Sequence, residues 1–129
     1  MYCLDANIII AIFRGDKELA KKISDIDPAD IFFTEITLCE LFKGAYKSKY
    51  KEMSLNLIYD FTNNYNLLGL TLKSCEIFGS DFNILEKLGK KTQEFDLLTA
   101  SIAKENDLII VTRNKKHFEN IPDLKVEEW

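Results

Sequence analysis

Short apolar runs alternate with helix-length amphipathic stretches along the whole chain, and this alternation limits the fold more than any other feature. The runs that predict strands are residues 1–4, 31–33, 66–70, 108–111 and 124–127. The stretches that predict helices are residues 7–14, 16–24, 34–46, 51–64, 73–88 and 96–106, with Asp16 and Thr34 as predicted N-caps. Strands that alternate with helices favour βαβ crossovers and a mainly parallel sheet covered on both faces. The sequence therefore predicts an α/β fold, a three-layer α/β/α sandwich.

The size and composition of the chain indicate one domain over residues 1–129. The chain is 47% hydrophobic, with only two prolines and five glycines, so it can bury a substantial core. No apolar run approaches the roughly 20 residues that span a bilayer, and the first residues lack a signal-peptide pattern. We therefore expect a cytoplasmic protein without a membrane anchor. Cys3, Cys39 and Cys75 are widely separated among apolar neighbours, which predicts buried, reduced thiols.

Charge and histidine content narrow the functional classes. The net charge of −4, from 21 acidic and 17 basic residues, is not typical of proteins that hold nucleic acid by bulk electrostatics. His117 is the single histidine, which excludes a histidine pair, and no nucleophile elbow accompanies it for a Ser-His-Asp arrangement. If the chain is an enzyme, its carboxylates are expected to carry the chemistry.

Three acidic residues stand at informative places, although each also has an ordinary structural interpretation. Asp5 directly follows the first predicted strand, and Asp96 begins a predicted helix, so both suit the N-cap position of a helix. Glu40 lies in a helix that is apolar on most of its circumference, where it suits a surface pair with Lys43. Taken singly, none of the three predicts a site.

Together the three acids predict a cation site. Loops that follow the strands of a parallel sheet converge at its carboxyl edge, and Asp5, Asp96 and the polar loop after Val111 all fall there. Two carboxylates about 4 Å apart repel by roughly 4 kcal/mol at an effective dielectric of 20, so a cluster of them needs a counterion. Oxygen ligands suit Mg²⁺ or Mn²⁺ better than zinc, which prefers histidine and cysteine.

Four segments in order resemble a PIN domain, and more narrowly a VapC-type toxin of a type II toxin–antitoxin module. They are YCLDANIII, TEITLCELFKGA, GKKTQEFDLLTASIA and IIVTRNKKHFENIPDLKVEEW, and they extend from Tyr2 to Trp129. The resemblance implies that Asp5, Glu40 and Asp96 bind a catalytic Mg²⁺. It also implies that Asn114 is catalytic, in a loop that often supplies a fourth acid, and that Asn7 is a substrate contact, at a position where asparagine commonly follows the first aspartate.

The same resemblance implies an endoribonuclease, usually a homodimer, that is silenced by a VapB-type antitoxin. It implies metal-assisted hydrolysis of an RNA phosphodiester to 5′-phosphate and 3′-hydroxyl ends, with transfer RNA among the plausible targets. Glu40 either binds the metal or deprotonates the attacking water, and the sequence leaves both roles open. Because an acidic site needs nearby bases to attract a polyanion, Arg113 and Lys43 are predicted phosphate contacts.

Three positions depart from the family pattern. Ala6 replaces a frequent threonine or serine, Asn114 is neutral, and His117 stands where several relatives carry an acid. These departures argue against tight binding of a second metal ion.

Two other interpretations compete with the nuclease. A receiver-like or phosphatase-like domain would use Asp5 as a nucleophile, but it would need a second acid beside Asp5 and a lysine after a late strand, where Asn7 and Arg113 stand. A PIN-like domain without catalysis would act as a binding module, but it would not need to retain Asp5, Glu40 and Asp96.

Overall fold

The structure is a computed structural model that describes residues 1–129, and it contains a parallel sheet between two layers of helices. The strands are β1 (Tyr2–Leu4), β2 (Ile31–Thr34), β3 (Asn66–Leu68), β4 (Ile109–Thr112) and β5 (Val126–Glu128). The helices are α1 (Ala6–Phe13), α2 (Lys17–Ser24), α3 (Glu35–Lys47), α4 (Lys51–Asn64), α5 (Leu72–Lys87) and α6 (Glu94–Glu105). Single 3₁₀ turns occupy Pro28–Asp30 and Lys115–His117. The predicted three-layer α/β fold is confirmed.

The strand order creates a switch point beside the central strand. The five strands are all parallel in the order β3-β2-β1-β4-β5, so the chain first moves outward from β1 to β3 and then returns to the other side of β1. Ligands of open α/β sheets bind beyond the carboxyl ends of the strands at such a point. Leu4 pairs with Val111, and the Asp5 amide donates to the Val111 carbonyl at 2.9 Å. Asp5 and Thr112 are therefore neighbours where β1 and β4 end.

Side chains that alternate along the strands divide the core into two clusters. Leu4 and Val111 join a cluster packed against helices α1 to α4, whereas Cys3 and Ile110 join a second cluster with residues of α5 and α6. Successive side chains of a strand point to opposite faces of the sheet. Asp5 follows Leu4 directly, so the alternation directs it to the opposite face from Leu4, which is the face that α6 covers.

Local capping accounts for most of the helix boundaries. The Asp16 carboxylate accepts a hydrogen bond from the Leu19 amide at 3.0 Å and begins α2, as the sequence predicts. Thr34 caps α3 in the same way, through the Thr37 amide at 3.1 Å. Gly15, with a φ of +92°, makes the sharp turn that separates α1 from α2.

The expectation of buried cysteines is correct for only one of three. Cys3 is fully buried in β1, and its burial, with the nearby charge of Asp5, raises the pKa of its thiol to about 12. Cys39 and Cys75 are exposed, because each lies on the solvent side of an amphipathic helix whose other face packs inward. All three are free thiols, and no helix has the length and apolar character needed to cross a membrane.

Candidate active site

Asp5 lies at the switch point, and both of its carboxylate oxygens are hydrogen-bonded. Oδ1 accepts from the Ala6 amide at 2.8 Å, so Asp5 is also the N-cap of α1, and Oδ2 accepts from the Thr112 hydroxyl at 2.8 Å. The residue is only 8% exposed. Burial raises the pKa of Asp5 although both hydrogen bonds favour its ionised form. The capping role and a role in the site therefore coincide in one residue.

Thr112 is the hub of the polar network that holds Asp5. Its hydroxyl donates to Asp5 and accepts from the Asn7 side-chain amide at 3.1 Å and from the Asn114 backbone amide at 3.0 Å. The Asn7 carbonyl oxygen in turn accepts from the Arg113 backbone amide at 3.2 Å. Asn7, predicted as a substrate contact, thus helps to lock the loop after β4 onto the start of α1.

Asp96 lies in the first turn of α6 and does not cap that helix. The helix begins two residues earlier than predicted, at Glu94, and the residue at its N-cap position, Gln93, makes no capping bond. One carboxylate oxygen of Asp96, Oδ2, is buried and accepts no hydrogen bond. Burial, followed by the charge of Asp5, raises the pKa of Asp96 to about 6, and His117 acts in the opposite direction. The capping interpretation of Asp96 is therefore wrong.

Glu40 projects from α3 as a half-buried carboxylate. Its burial, and then the charges of Asp5 and Asp96, raise the pKa of Glu40 to about 7. Lys43 partly opposes this shift through space, but no ion pair forms between the two side chains within 4.0 Å. The surface pair considered from the sequence is therefore absent, and the pKa of Glu40 is raised by the charges of Asp5 and Asp96.

Three buried threonine hydroxyls, which sequence reasoning did not single out, join the elements that carry the acids. Thr34, at the end of β2, lies 3.4 Å from both Thr37 of α3 and Thr99 of α6. Thr37 stands three residues before Glu40, and Thr99 stands three residues after Asp96, so each shares a helix face with its acid. A polar residue at the end of an otherwise apolar strand is the signal that predicts such a contact.

The loop after β4 adds a histidine and an asparagine beside Asp96. The Asn114 side-chain nitrogen lies 2.8 Å from Nε2 of His117. An amide nitrogen donates, so Nε2 accepts and Nδ1 carries the ring proton. Nδ1 lies 3.4 Å from the Asp96 carboxylate. Asn114 thus orients the one side chain that presents positive polarity to Asp96.

Arg113 directs its guanidinium to the Asp16 carboxylate, with which it forms an ion pair. The short, charge-assisted hydrogen bond between the two side chains joins the loop after β4 to the beginning of α2. Its role as a phosphate contact, like that of Lys43, stays a prediction. Asp16 was predicted as a helix cap, and its pairing with Arg113 carries no signal in the sequence.

The donor set at the switch point suits a hard divalent cation. No three Asp, Glu, His or Cys side chains converge into a closed ligand set. However, the charge of Asp5 raises the pKa of both Glu40 and Asp96, Asp96 also raises that of Glu40, and one buried oxygen of Asp96 accepts no hydrogen bond. Oxygen donors of this kind suit Mg²⁺ or Mn²⁺, which keep several of their own waters and need few protein ligands. Asp5, Glu40 and Asp96 are the residues that would hold such an ion.

Comparisons with known proteins place this geometry in a family. The model of the PIN domain matches residues 2–124. Ribonuclease VapC1 of Haemophilus influenzae (strain R2866) is 34% identical, over 100% of this chain and 98% of that protein. The tRNA(fMet)-specific endonuclease VapC of Shigella flexneri is 28% identical, over 99% and 97% of the two chains.

A solved structure agrees with these relatives. A chain in the crystal structure of VapBC2 from Rickettsia felis, bound to a DNA fragment from their promoter, superposes with a TM-score of 0.92 at 28% identity. The alignment covers 99% of this chain and 98% of that one. The likeness therefore includes every helix and strand that positions the acids.

Proposed function

We propose that this chain, which belongs to the PIN-domain family, is a metal-dependent endoribonuclease and the toxin of a type II toxin–antitoxin pair. The observation that carries the proposal is the buried Oδ2 of Asp96, which accepts no hydrogen bond although His117 Nδ1 lies 3.4 Å away, in a carboxyl group whose pKa is raised by burial and by the charge of Asp5. Most buried polar side-chain atoms have a hydrogen-bond partner, so an unbonded carboxylate oxygen at a switch point is a place where a water, ligand or ion fits. The ribonuclease names of the similar VapC proteins support the same reaction class.

Asp5, Glu40 and Asp96 hold Mg²⁺ or Mn²⁺ in this proposal. When bound, the ion lowers the pKa of a water and offsets negative charge on the scissile phosphate. Asp5 is the most rigidly held of the three, because the Thr112 hydroxyl and the Ala6 amide fix both of its oxygens. Such preorganisation keeps the donor in place without a cost in conformational entropy at the moment of reaction.

Glu40 is the residue best suited to accept a proton from the attacking water. Its pKa of about 7 lies near neutral pH, where a general base is most effective. The same residue also suits metal ligation, so the two roles that the sequence leaves open are not exclusive. Asn114 orients the His117 ring, and Nδ1 of that ring lies 3.4 Å from the Asp96 carboxylate.

The substrate and partners in this proposal follow the relatives. One VapC relative is named for tRNA(fMet), which makes transfer RNA the first substrate to test. A VapB-type antitoxin is the proposed partner, because the similar solved structures are VapBC complexes. We further propose that the chain forms a homodimer and acts in the cytoplasm.

Expression of the chain alone in a bacterium tests the proposal. We expect growth arrest, and we expect Asp5→Ala and Asp96→Ala to relieve it while the purified variants stay folded. Asp60→Ala, at an exposed position of α4, is the matched control and should arrest growth like the parent. Purified protein should cleave RNA with Mg²⁺ and stop in EDTA.

Equal arrest by all three variants, or cleavage that persists in EDTA, would contradict the metal-dependent nuclease. A small open reading frame directly upstream of the gene would support a toxin over other PIN proteins. RNA binding without cleavage by the parent chain would favour the non-catalytic PIN module instead.

A further inference from the structure

A cleft beside the acidic site gathers both arginines of the chain. The sequence contains fifteen lysines but only Arg14 and Arg113 as arginines. Both line one open cavity of about 600 Å³, together with Asn7, Gly15 and Asp16. We call this cavity the arginine cleft.

The local sequence explains how Arg14 and Asp16 come to border the same cavity. Helix α1 ends at Phe13, Arg14 occupies its C-cap, and Asp16 caps the start of α2. Gly15 connects them with a positive φ that other residues rarely adopt. The turn thus places one cation and one anion on either side of a single glycine.

The charges of the arginine cleft leave one cation in excess. Arg113 is paired with Asp16, whose pKa is lowered chiefly by the Leu19 amide and also by Arg113, so this carboxylate is ionised at neutral pH. Arg14 is exposed and has no acidic side chain within 4.0 Å. The cleft is therefore cationic on a chain whose net charge is −4.

The arginine cleft adjoins the acidic site through Asn7. The Asn7 side chain lines the cleft, and its amide donates to the Thr112 hydroxyl, which in turn donates to Asp5. The backbone of Arg113 is fixed to the same Asn7 side chain. A group held in the cleft can thus contact Asn7, which is hydrogen-bonded to the Thr112 hydroxyl that positions Asp5.

We propose that the arginine cleft binds the RNA backbone phosphate next to the one that is cut. This rests on the proposed function. Every nucleotide of the strand carries a phosphate, so a phosphate adjoining the cut site must lie near residues that border the acids. Guanidinium groups bind phosphate through paired, charge-assisted hydrogen bonds, which a lysine cannot reproduce. Because Arg14 and Arg113 line the same cavity, we expect one phosphate to be shared between them.

Asp16 gives the arginine cleft its selectivity. In the free protein the Asp16 carboxylate is paired with one nitrogen of the Arg113 guanidinium. An entering phosphate must therefore share that guanidinium or displace the carboxylate. A lone anion gains too little from Arg14 to do so, whereas a strand that is also held at the acidic site brings its neighbouring phosphate to the cleft at high effective concentration.

Binding of a short, fluorescein-labelled single-stranded oligoribonucleotide tests the proposal, in Ca²⁺ as a cation that also takes oxygen ligands, so that the acidic site can hold the strand while Mg²⁺ is absent. Arg14→Met and Arg113→Met should each weaken binding, and each should reduce the slope of log Kd against log salt by about 0.7, the value for one phosphate contact on a single strand. The double variant should resemble either single variant, because one phosphate is shared. Lys17→Met is the matched control, since Lys17 is exposed on the first turn of α2 but does not line the cleft.

Asp16→Asn sharpens the test, because asparagine keeps the N-cap of α2 while it removes the charge. We expect this variant to bind the oligoribonucleotide more tightly than the parent. Arginine variants that bind RNA like the parent, or that weaken only antitoxin binding, would overturn the proposal. Cleavage by the parent chain in Mg²⁺ is measured separately, so failure of the nuclease function is distinguishable from failure of the cleft.

Discussion

Helix α6 carries two buried charged contacts that are built in opposite ways. Near its end, Lys104 reaches the Asp81 carboxylate of α5 at 2.7 Å, and the side chain of Asp81 is only 6% exposed. In its first turn, the Asp96 side chain is 13% exposed, but one buried oxygen accepts no hydrogen bond. The first acid is hydrogen-bonded to a cation within the chain, whereas the buried oxygen of the second has the His117 ring nitrogen 3.4 Å away but no hydrogen bond.

The difference separates a structural carboxylate from one kept for a ligand. Taking a carboxylate out of water costs several kcal/mol unless a partner offsets the loss. The α5–α6 contact offsets this cost within the chain, so its charge pair is complete in the free protein. At the acidic site His117 offsets only part of this cost for Asp96, whose pKa stays raised, and a bound cation would offset more of it.

The largest expected effect comes from Asp96→Asn. We expect RNA cleavage to fall by more than about 100-fold, because loss of even an outer partner of a metal ligand typically costs about 10 to 100-fold. The free energy of unfolding in EDTA should stay the same or rise, since a poorly solvated charge has been removed. Urea denaturation and a cleavage assay on the same samples measure both. Loss of stability together with activity would assign Asp96 a structural role like that of Asp81.

The reverse outcome is expected for Lys104→Met. This substitution leaves the Asp81 carboxylate buried without its cation, and we expect a loss of about 3–5 kcal/mol in the free energy of unfolding. Urea denaturation measures it, and the double variant Asp81→Leu with Lys104→Met should recover most of the loss. RNA cleavage at a temperature where both proteins are folded should be unchanged. A loss of activity in the folded variant would contradict a purely structural role for the Lys104–Asp81 pair.

Thr112→Val tests the network that positions Asp5. The substitution keeps the shape of the side chain but removes the hydroxyl that binds Asp5, Asn7 and the Asn114 amide. We expect RNA cleavage to fall by about tenfold, the lower end of the cost of losing an outer partner. Thr112→Ser retains the hydroxyl and should restore most of the activity. If neither substitution changes RNA cleavage, the hydrogen bond from the Thr112 hydroxyl to Asp5 is not needed for activity.

The smallest expected effect is a dependence of stability on pH. The pKa of Glu40 is raised from its ordinary 4.5 to about 7, so the folded protein holds this proton more tightly than the unfolded chain does. The resulting stability is fully present below pH 4.5 and is lost as the pH rises through 7. We expect Glu40→Gln to raise the melting temperature of the metal-free protein at pH 8 and to change it little at pH 4.5.

Glu119→Gln is the control for this pH profile, because Glu119 is exposed and forms no ion pair. Its difference in melting temperature from the parent should not vary with pH. If Glu40→Gln behaves like this control, the pKa of Glu40 is not raised in the folded protein. Glu40 would then not differ from a carboxylate with an internal partner, such as Asp81.

The sequence predicts the order of helices and strands well, because that order depends on local signals. Apolar runs mark each strand, and capping residues such as Asp16 and Thr34 mark helix starts. The prediction is weaker where such signals are absent. Helix α6 begins at Glu94 without a side-chain cap, so the sequence places its start at Asp96 and favours a capping role that the structure does not show.

The acids of the candidate site are predictable from their positions, but the contacts that orient them are not. Strand β4 continues one residue beyond its apolar run, to Thr112, and only the pairing with β1 reveals that this hydroxyl reaches Asp5. Likewise, nothing local relates Arg113 to Asp16. Such contacts depend on how distant elements pack, and periodicity along the chain does not encode them.

The separation of the partners along the chain has a consequence for synthesis. Strand β1 leaves the ribosome first, but the Thr112 hydroxyl that holds its Asp5 lies 107 residues later. Contacts so distant in sequence form only after the intervening chain has been made. No nascent fragment that stops short of β4 can assemble the acidic site. An enzyme that attacks RNA is therefore inert beside the very ribosome and transcript that produce it until its translation is nearly finished.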